Sequence, residues 1–124
     1  MKKTILFVLI ALFSACSKSN QNPATTTIIY QYTATTSSTY NVSYNDGNGN
    51  PVTTTFTGTS WSKTITTNAG TGFKKAIITM NTTSATPNIT GSVAILVNNV
   101  IKFQSDVMLN TAYQGFSYYA VVFN

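Results

Sequence analysis

The side chains able to do chemistry are few in this chain. Its 124 residues include no histidine, no arginine and no glutamate, and its acidic groups are Asp46 and Asp106 alone. That inventory rules out a Ser-His-Asp or Cys-His arrangement and a zinc site built from histidine and cysteine. A catalytic pair of carboxylates could come only from Asp46 and Asp106. Asp46 falls in a turn and Asp106 near the end of an alternating segment, so nothing in their spacing brings them together. Cys16, the single cysteine, has no disulfide partner in the chain. The expectation is a protein that is not an enzyme and needs no cofactor or metal.

Two short strings do match patterns with a mechanism behind them. Ser60-Trp61-Ser62-Lys63 has the Ser-x-x-Lys spacing of penicillin-recognising enzymes, where the motif opens a helix and is completed by Ser-Asp-Asn and Lys-Thr-Gly elements. Here it lies in an alternating, strand-like stretch, and Lys63-Thr64 is the sole fragment of the other elements. Asp46, Asn48 and Asn50 have the alternating oxygen-ligand spacing that begins an EF-hand loop. Pro51 stands where that loop requires glycine and Thr57 where it requires a bidentate glutamate, so a plain hairpin turn is the expected reading. Aromatic side chains offer a third kind of chemistry, stacking on a sugar or peptide. Alternation assigns most of them to apolar strand faces, and Trp61, Tyr113 and Tyr119 are the candidates for contact with a ligand or partner.

Cys16 is where the sequence is most specific. Met1-Lys2-Lys3 is a positive start, Thr4 to Phe13 is apolar, and Ser14-Ala15 are small, which is the pattern of a secretory signal peptide. Its roughly 10 apolar residues would make a helix only about 15 Å long, half the hydrocarbon thickness of a bilayer. Phe13-Ser14-Ala15-Cys16 resembles the lipobox of bacterial lipoproteins. That resemblance implies diacylglyceryl transfer to the Cys16 thiol, cleavage before it, and acylation of the new amine with chains such as palmitate. Loss of residues 1–15 leaves Lys18, Lys63, Lys74, Lys75 and Lys102 against two aspartates, so the formal charge falls from +5 to +3. Without arginine forks or a dense basic patch, nucleic-acid binding is not expected.

Three regions are expected around these residues: a signal peptide over 1–15, a lipidated cysteine and polar tether over 16–27, and a β domain over 28–124. The tether lacks any large apolar residue that could offset its ordering entropy. Beyond it, Thr, Val, Ile, Tyr and Phe dominate, with apolar and polar residues alternating between turn signals. Eight segments are legible: Ile28 to Ala34, Tyr40 to Tyr44, Val52 to Phe56, Trp61 to Ile65, Phe73 to Met80, Ile89 to Val97, Val100 to Met108 and Gly115 to Phe123. Asn98-Asn99 suits a two-residue type I′ hairpin. The expected fold is all-β, a single antiparallel sandwich of seven or eight strands of Ig-like or Greek-key type.

The order of Tyr40 to Asp46, Trp61 to Ile65, Ala76 to Asn81 and Val93 to Ile101 resembles the soluble domain of the MmpS family, small anchored β-sandwich proteins that accompany resistance-nodulation-division transporters. That family usually anchors by a transmembrane helix and often joins late strands with a cysteine pair. This chain has a lipobox and one cysteine. The resemblance implies an accessory subunit of an envelope complex, with an export complex as one form of it. In lipoproteins of the Bacteroidota type an acidic run near the cysteine marks export to the cell surface, and no such run follows Cys16, so the lipobox resemblance implies the outer membrane facing the periplasm as the expected location. The partners expected are the membrane, through the lipid, and an unidentified envelope protein. A glycan- or peptide-binding module is the alternative.

Overall fold

Alternation along this chain produces strands longer than the segments legible in the sequence. The computed structural model describes residues 24–68, 71, 73–82, 88–109 and 116–121, the last span by its backbone alone. Six strands lie within them: β1 (Thr25–Asn45), β2 (Pro51–Asn68), β3 (Lys75–Thr82), β4 (Ile89–Val97), β5 (Val100–Leu109) and β6 (Phe116–Val121). The fold is all-β and antiparallel, as the sequence predicts, but seven or eight strands become six among the described residues. The expected first and second segments run together as β1, and the third and fourth as β2. The tether also ends earlier than expected, since β1 starts at Thr25 and Thr26 is already buried.

The fusion has a local cause. Thr35-Thr36-Ser37-Ser38 contains neither glycine nor proline to end a strand, so β1 turns the corner through a bulge instead. Thr33 pairs with Ser60 and Ser38 with Gly58, which sets four residues of β1 against the single Thr59 of β2. Gly58 takes φ 147°, a conformation that side-chain-bearing residues rarely adopt. Both strands of the long hairpin bend here.

Instead of two separate sheets, all six strands belong to one. Its order is β5-β4-β1-β3-β6, with β2 on the other side of β1. Before the corner β1 pairs with β4 from Ile28↔Val97 to Ala34↔Gly91; after it β1 pairs with β3 from Tyr40↔Thr82 to Tyr44↔Ile78. The bend brings the two halves face to face, so the Tyr30 and Tyr44 rings lie 5.5 Å apart and those of Tyr32 and Tyr40 5.1 Å apart. Between the halves Ile28, Val42, Ala76, Ile78, Met80, Ile89, Val93 and Ile95 are fully enclosed. β5 and β6, the sheet's two ends, approach each other with no pairing between them among the described residues.

Cross-strand hydroxyls stitch the outer surface where β1 and β2 pair. Thr39 meets Thr57 at 2.9 Å, Asn41 accepts from Thr55 at 2.7 Å, and Ser43 meets Thr53 at 2.7 Å. Such pairs each contribute a few tenths of a kcal/mol up to about 1. The threonine of this chain thus serves as pairing chemistry as well as strand former.

The β4–β5 hairpin turns at Asn98-Asn99, with φ 50° and 64°. Positive φ at both centres is the type I′ requirement, which asparagine tolerates and β-branched residues resist. Asn99→Gly should leave the thermal midpoint unchanged or raise it, whereas Asn99→Val should cost about 1 to 2 kcal/mol. Equal midpoints for the two variants would contradict this turn. Asn98 is unsuitable for the test because it also binds β1, its amide donating to the Thr27 carbonyl and its Oδ1 accepting from the Thr27 amide.

Candidate functional site

Trp61 is the contact candidate that the structure describes in full. It is half-buried on the inward side of β2, beside Phe56 and Ile65, and belongs to a chain of ring contacts. Its indole lies 5.6 Å from Tyr44 and 6.3 Å from Phe56, and Phe56 in turn stacks on Tyr40 at 4.9 Å. Each contact of this kind adds to the area the rings bury. The ring therefore seals the β2 side of the core, with only part of its surface open to a ligand. Tyr113 lies outside the described residues, and Tyr119 is placed by its backbone, opposite Ile77, without its side chain.

Burial disfavours the phenolate of three tyrosines among these rings, holding Tyr30 and Tyr32 well above the ordinary range and raising Tyr40. They differ in how their hydroxyls are satisfied. Tyr30 donates to the Asn45 carbonyl at 3.1 Å and Tyr40 to the Thr36 carbonyl at 2.8 Å. The buried Tyr32 hydroxyl, beside Tyr40, has no hydrogen-bond partner among the described residues. An orphaned buried hydroxyl costs free energy, while a satisfied one contributes about 0.5 to 1.5 kcal/mol. Tyr32→Phe should therefore match or exceed the wild type in urea midpoint, and Tyr30→Phe should fall below it by about 1 kcal/mol. A larger loss from Tyr32→Phe than from Tyr30→Phe would overturn this assignment.

A depression with a volume of about 610 Å³ lies on the outer surface at the corner. It is a trough between two rows of side chains that cross β1, β4 and β5. One row is Thr33, Ser92 and Asp106; the other is Thr35, Thr90 and Met108. The Thr33 and Ser92 hydroxyls meet at 3.1 Å, as do those of Thr35 and Thr90 at 3.0 Å. The floor is the backbone of Ala34, Gly91 and Val107, and Gly91 is there because a Cβ would overlap the Thr33 carbonyl oxygen. Asp106 is exposed and forms no ion pair with the described residues. An acceptor-only carboxylate beside paired hydroxyls and one apolar side chain can bind vicinal hydroxyl groups or an extended amide chain. The single sequence signal for this trough is an isolated glycine inside a strand pattern.

The remaining motifs resolve into local structure. Asp46 Oδ1 accepts from the amides of Asn48 and Asn50, each at 2.9 Å, and its backbone closes the turn with Asn50 and Gly49. These bonds, led by that from Asn50, hold its carboxyl below the usual carboxylate value. Asp46 is thus a turn clamp, and it stands at the opposite end of the domain from Asp106. Ser60, Ser62 and Lys63 are exposed positions of an extended strand, not the opening turn of a helix. Cys16 lies outside the described residues.

One further feature is a matter of backbone alone. β2 is 18 residues long and pairs with β1 on one edge, while its other edge meets no strand among the described residues. Unpaired strand edges present a row of donors and acceptors to any extended chain. No protein-family model matches this chain, and no curated protein matches it either.

Proposed function

We propose that this chain is a lipid-anchored envelope protein whose β domain works by contact, as a non-enzymatic accessory subunit of an envelope complex facing the periplasm. The observation that carries this reading is the free edge of β2, an 18-residue strand. A partner's extended segment can add to such an edge through main-chain hydrogen bonds. The bend at Gly58 divides the edge into two shorter stretches, and Lys63 puts a charge on one of them, which limits indiscriminate pairing. The export complex implied by the strand-order resemblance is one form of this proposal. A photo-crosslinking residue at Ser62 or Thr64 should capture one envelope protein in intact cells, and the same residue at Thr90 on β4 should not. Capture from Thr90 alone, or from none of the three, would overturn the edge reading.

The corner trough favours a second reading, a glycan- or peptide-binding module. Its volume of about 610 Å³ falls in the range of small-ligand sites. Titration with neutral oligosaccharides and with an extended peptide separates the two classes. Binding that is lost in Asp106→Asn would select this reading over the first.

A further inference from the structure

The described structure gathers several chain ends at one pole of the domain. Asn98 is hydrogen-bonded to Thr27 near the start of β1. Thr67 donates to the carbonyl of Gly47, which places the Asp46 to Asn50 turn beside the same residues. Phe73 lies against Gly49, so the chain entering β3 at Lys74 and Lys75 is there too. The corner, with Thr59, is at the opposite pole.

This pole has an unusual surface. Val100 and Ile101, just past the hairpin turn, are 55% and 56% exposed, the most of any large apolar residue described. A bulge makes this possible: Leu96 pairs with Ile101 but Ile95 with Phe103, so Lys102 is an extra residue and three successive side chains face solvent. Behind them Ile29 and Leu96 continue the apolar row across β1 and β4, both only half-buried. Lys74, Lys75 and Lys102 are exposed at this pole, and Asp46, the acidic residue there, is engaged by its own turn. Lys63, opposite Tyr30 on β2, stands at the same level along β1 as Lys102, across the sheet from it.

We propose that this pole rests against an anionic phospholipid surface, with Val100 and Ile101 entering the headgroup layer and Lys102, Lys74 and Lys75 meeting its phosphates. The inference rests on lipidation of Cys16, proposed above. Eight residues, 17–24, separate Cys16 from β1. Fully extended they reach no more than about 30 Å, and as a coil about 16 Å. The strand that leaves this tether is the one to which Asn98 is bonded, so the hairpin tip is held close to the bilayer. An apolar edge ringed by lysines is the chemistry that suits an interface of acyl chains and anionic headgroups. Docking there would fix which way the trough and the β2 edge point.

The test uses the lipidated chain, reconstituted into vesicles of phosphatidylcholine with or without phosphatidylglycerol. With the Cys16 thiol occupied by lipid, an environment-sensitive fluorophore can be placed singly by Val100→Cys, Ile101→Cys or Thr59→Cys. Labels at 100 and 101 should shift to the blue and be quenched at least several-fold more by shallow spin-labelled lipid than a label at 59. Adding Lys74→Gln and Lys102→Gln should remove most of that difference in vesicles containing phosphatidylglycerol. If intact mass shows the lipid on Cys16 and the labels at 100 and 101 are as wet as that at 59, the docking inference is wrong. If intact mass shows no lipid, the inference falls together with the anchor on which it rests. Burial of the label by an envelope extract but not by vesicles would assign the tip to a protein and overturn the proposal.

Discussion

Ile78→Ala is expected to lower the free energy of unfolding by about 2 to 5 kcal/mol, and Val42→Ala by about 1 to 3. Both side chains are completely enclosed, one on each of two neighbouring strands of the second half-sheet. Truncation removes buried methyl groups and leaves a space that the surrounding rings and backbone fill only in part. Against a typical total of about 5 to 15 kcal/mol, Ile78→Ala alone takes a large share. The control is one residue away. Ile77 is 36% exposed on the outer surface of the same strand, so Ile77→Ala should cost about 0.5 kcal/mol or less. Urea midpoints of the three variants decide the matter, and an Ile77→Ala loss equal to that of Ile78→Ala would show that the faces of β3 are assigned the wrong way round.

That face assignment was legible because period-two alternation is a strong signal. Ala76, Ile78 and Met80 point inward together, as do Tyr40, Val42 and Tyr44, and Val93, Ile95 and Val97. The Asn98-Asn99 turn was legible for a different reason: two adjacent asparagines suit a backbone with positive φ twice in succession. The corner was not legible. Thr35 to Ser38 is polar and reads as a loop, yet its residues continue a strand whose direction changes only because β2 bends with it at Gly58. A bulge depends on the register of two strands distant in sequence, and no single segment encodes it.

The surfaces were less legible than the core. Trp61 stood out by type, but its position among the rings follows from the bend that brings Tyr44 and Phe56 to it. The trough is built from threonine, serine and one aspartate, residues that also make ordinary strand surface, and it exists because three strands align them in rows. The free edge of β2 is a property of strand order, which hydrophobic pattern does not report.

Cys16→Ala is the other substitution from which a large effect is expected, and it bears on the claim that ties the rest together, a contact domain held to a membrane by lipid. Two or three acyl chains, at about 0.8 kcal/mol per buried methylene, hold a protein to a bilayer in a way that a single short chain does not. Alanine at position 16 offers no thiol for the first acyl transfer, so cleavage after Ala15 should stop as well. The measurement is the intact mass of the chain in membrane and soluble fractions, wild type beside variant. The wild type should appear in the membrane fraction as residues 16–124 plus diacylglyceryl and acyl groups, and the variant should show neither that mass nor that cleavage. A Cys16→Ala chain still cut after Ala15 and still partitioning with membranes would contradict the account.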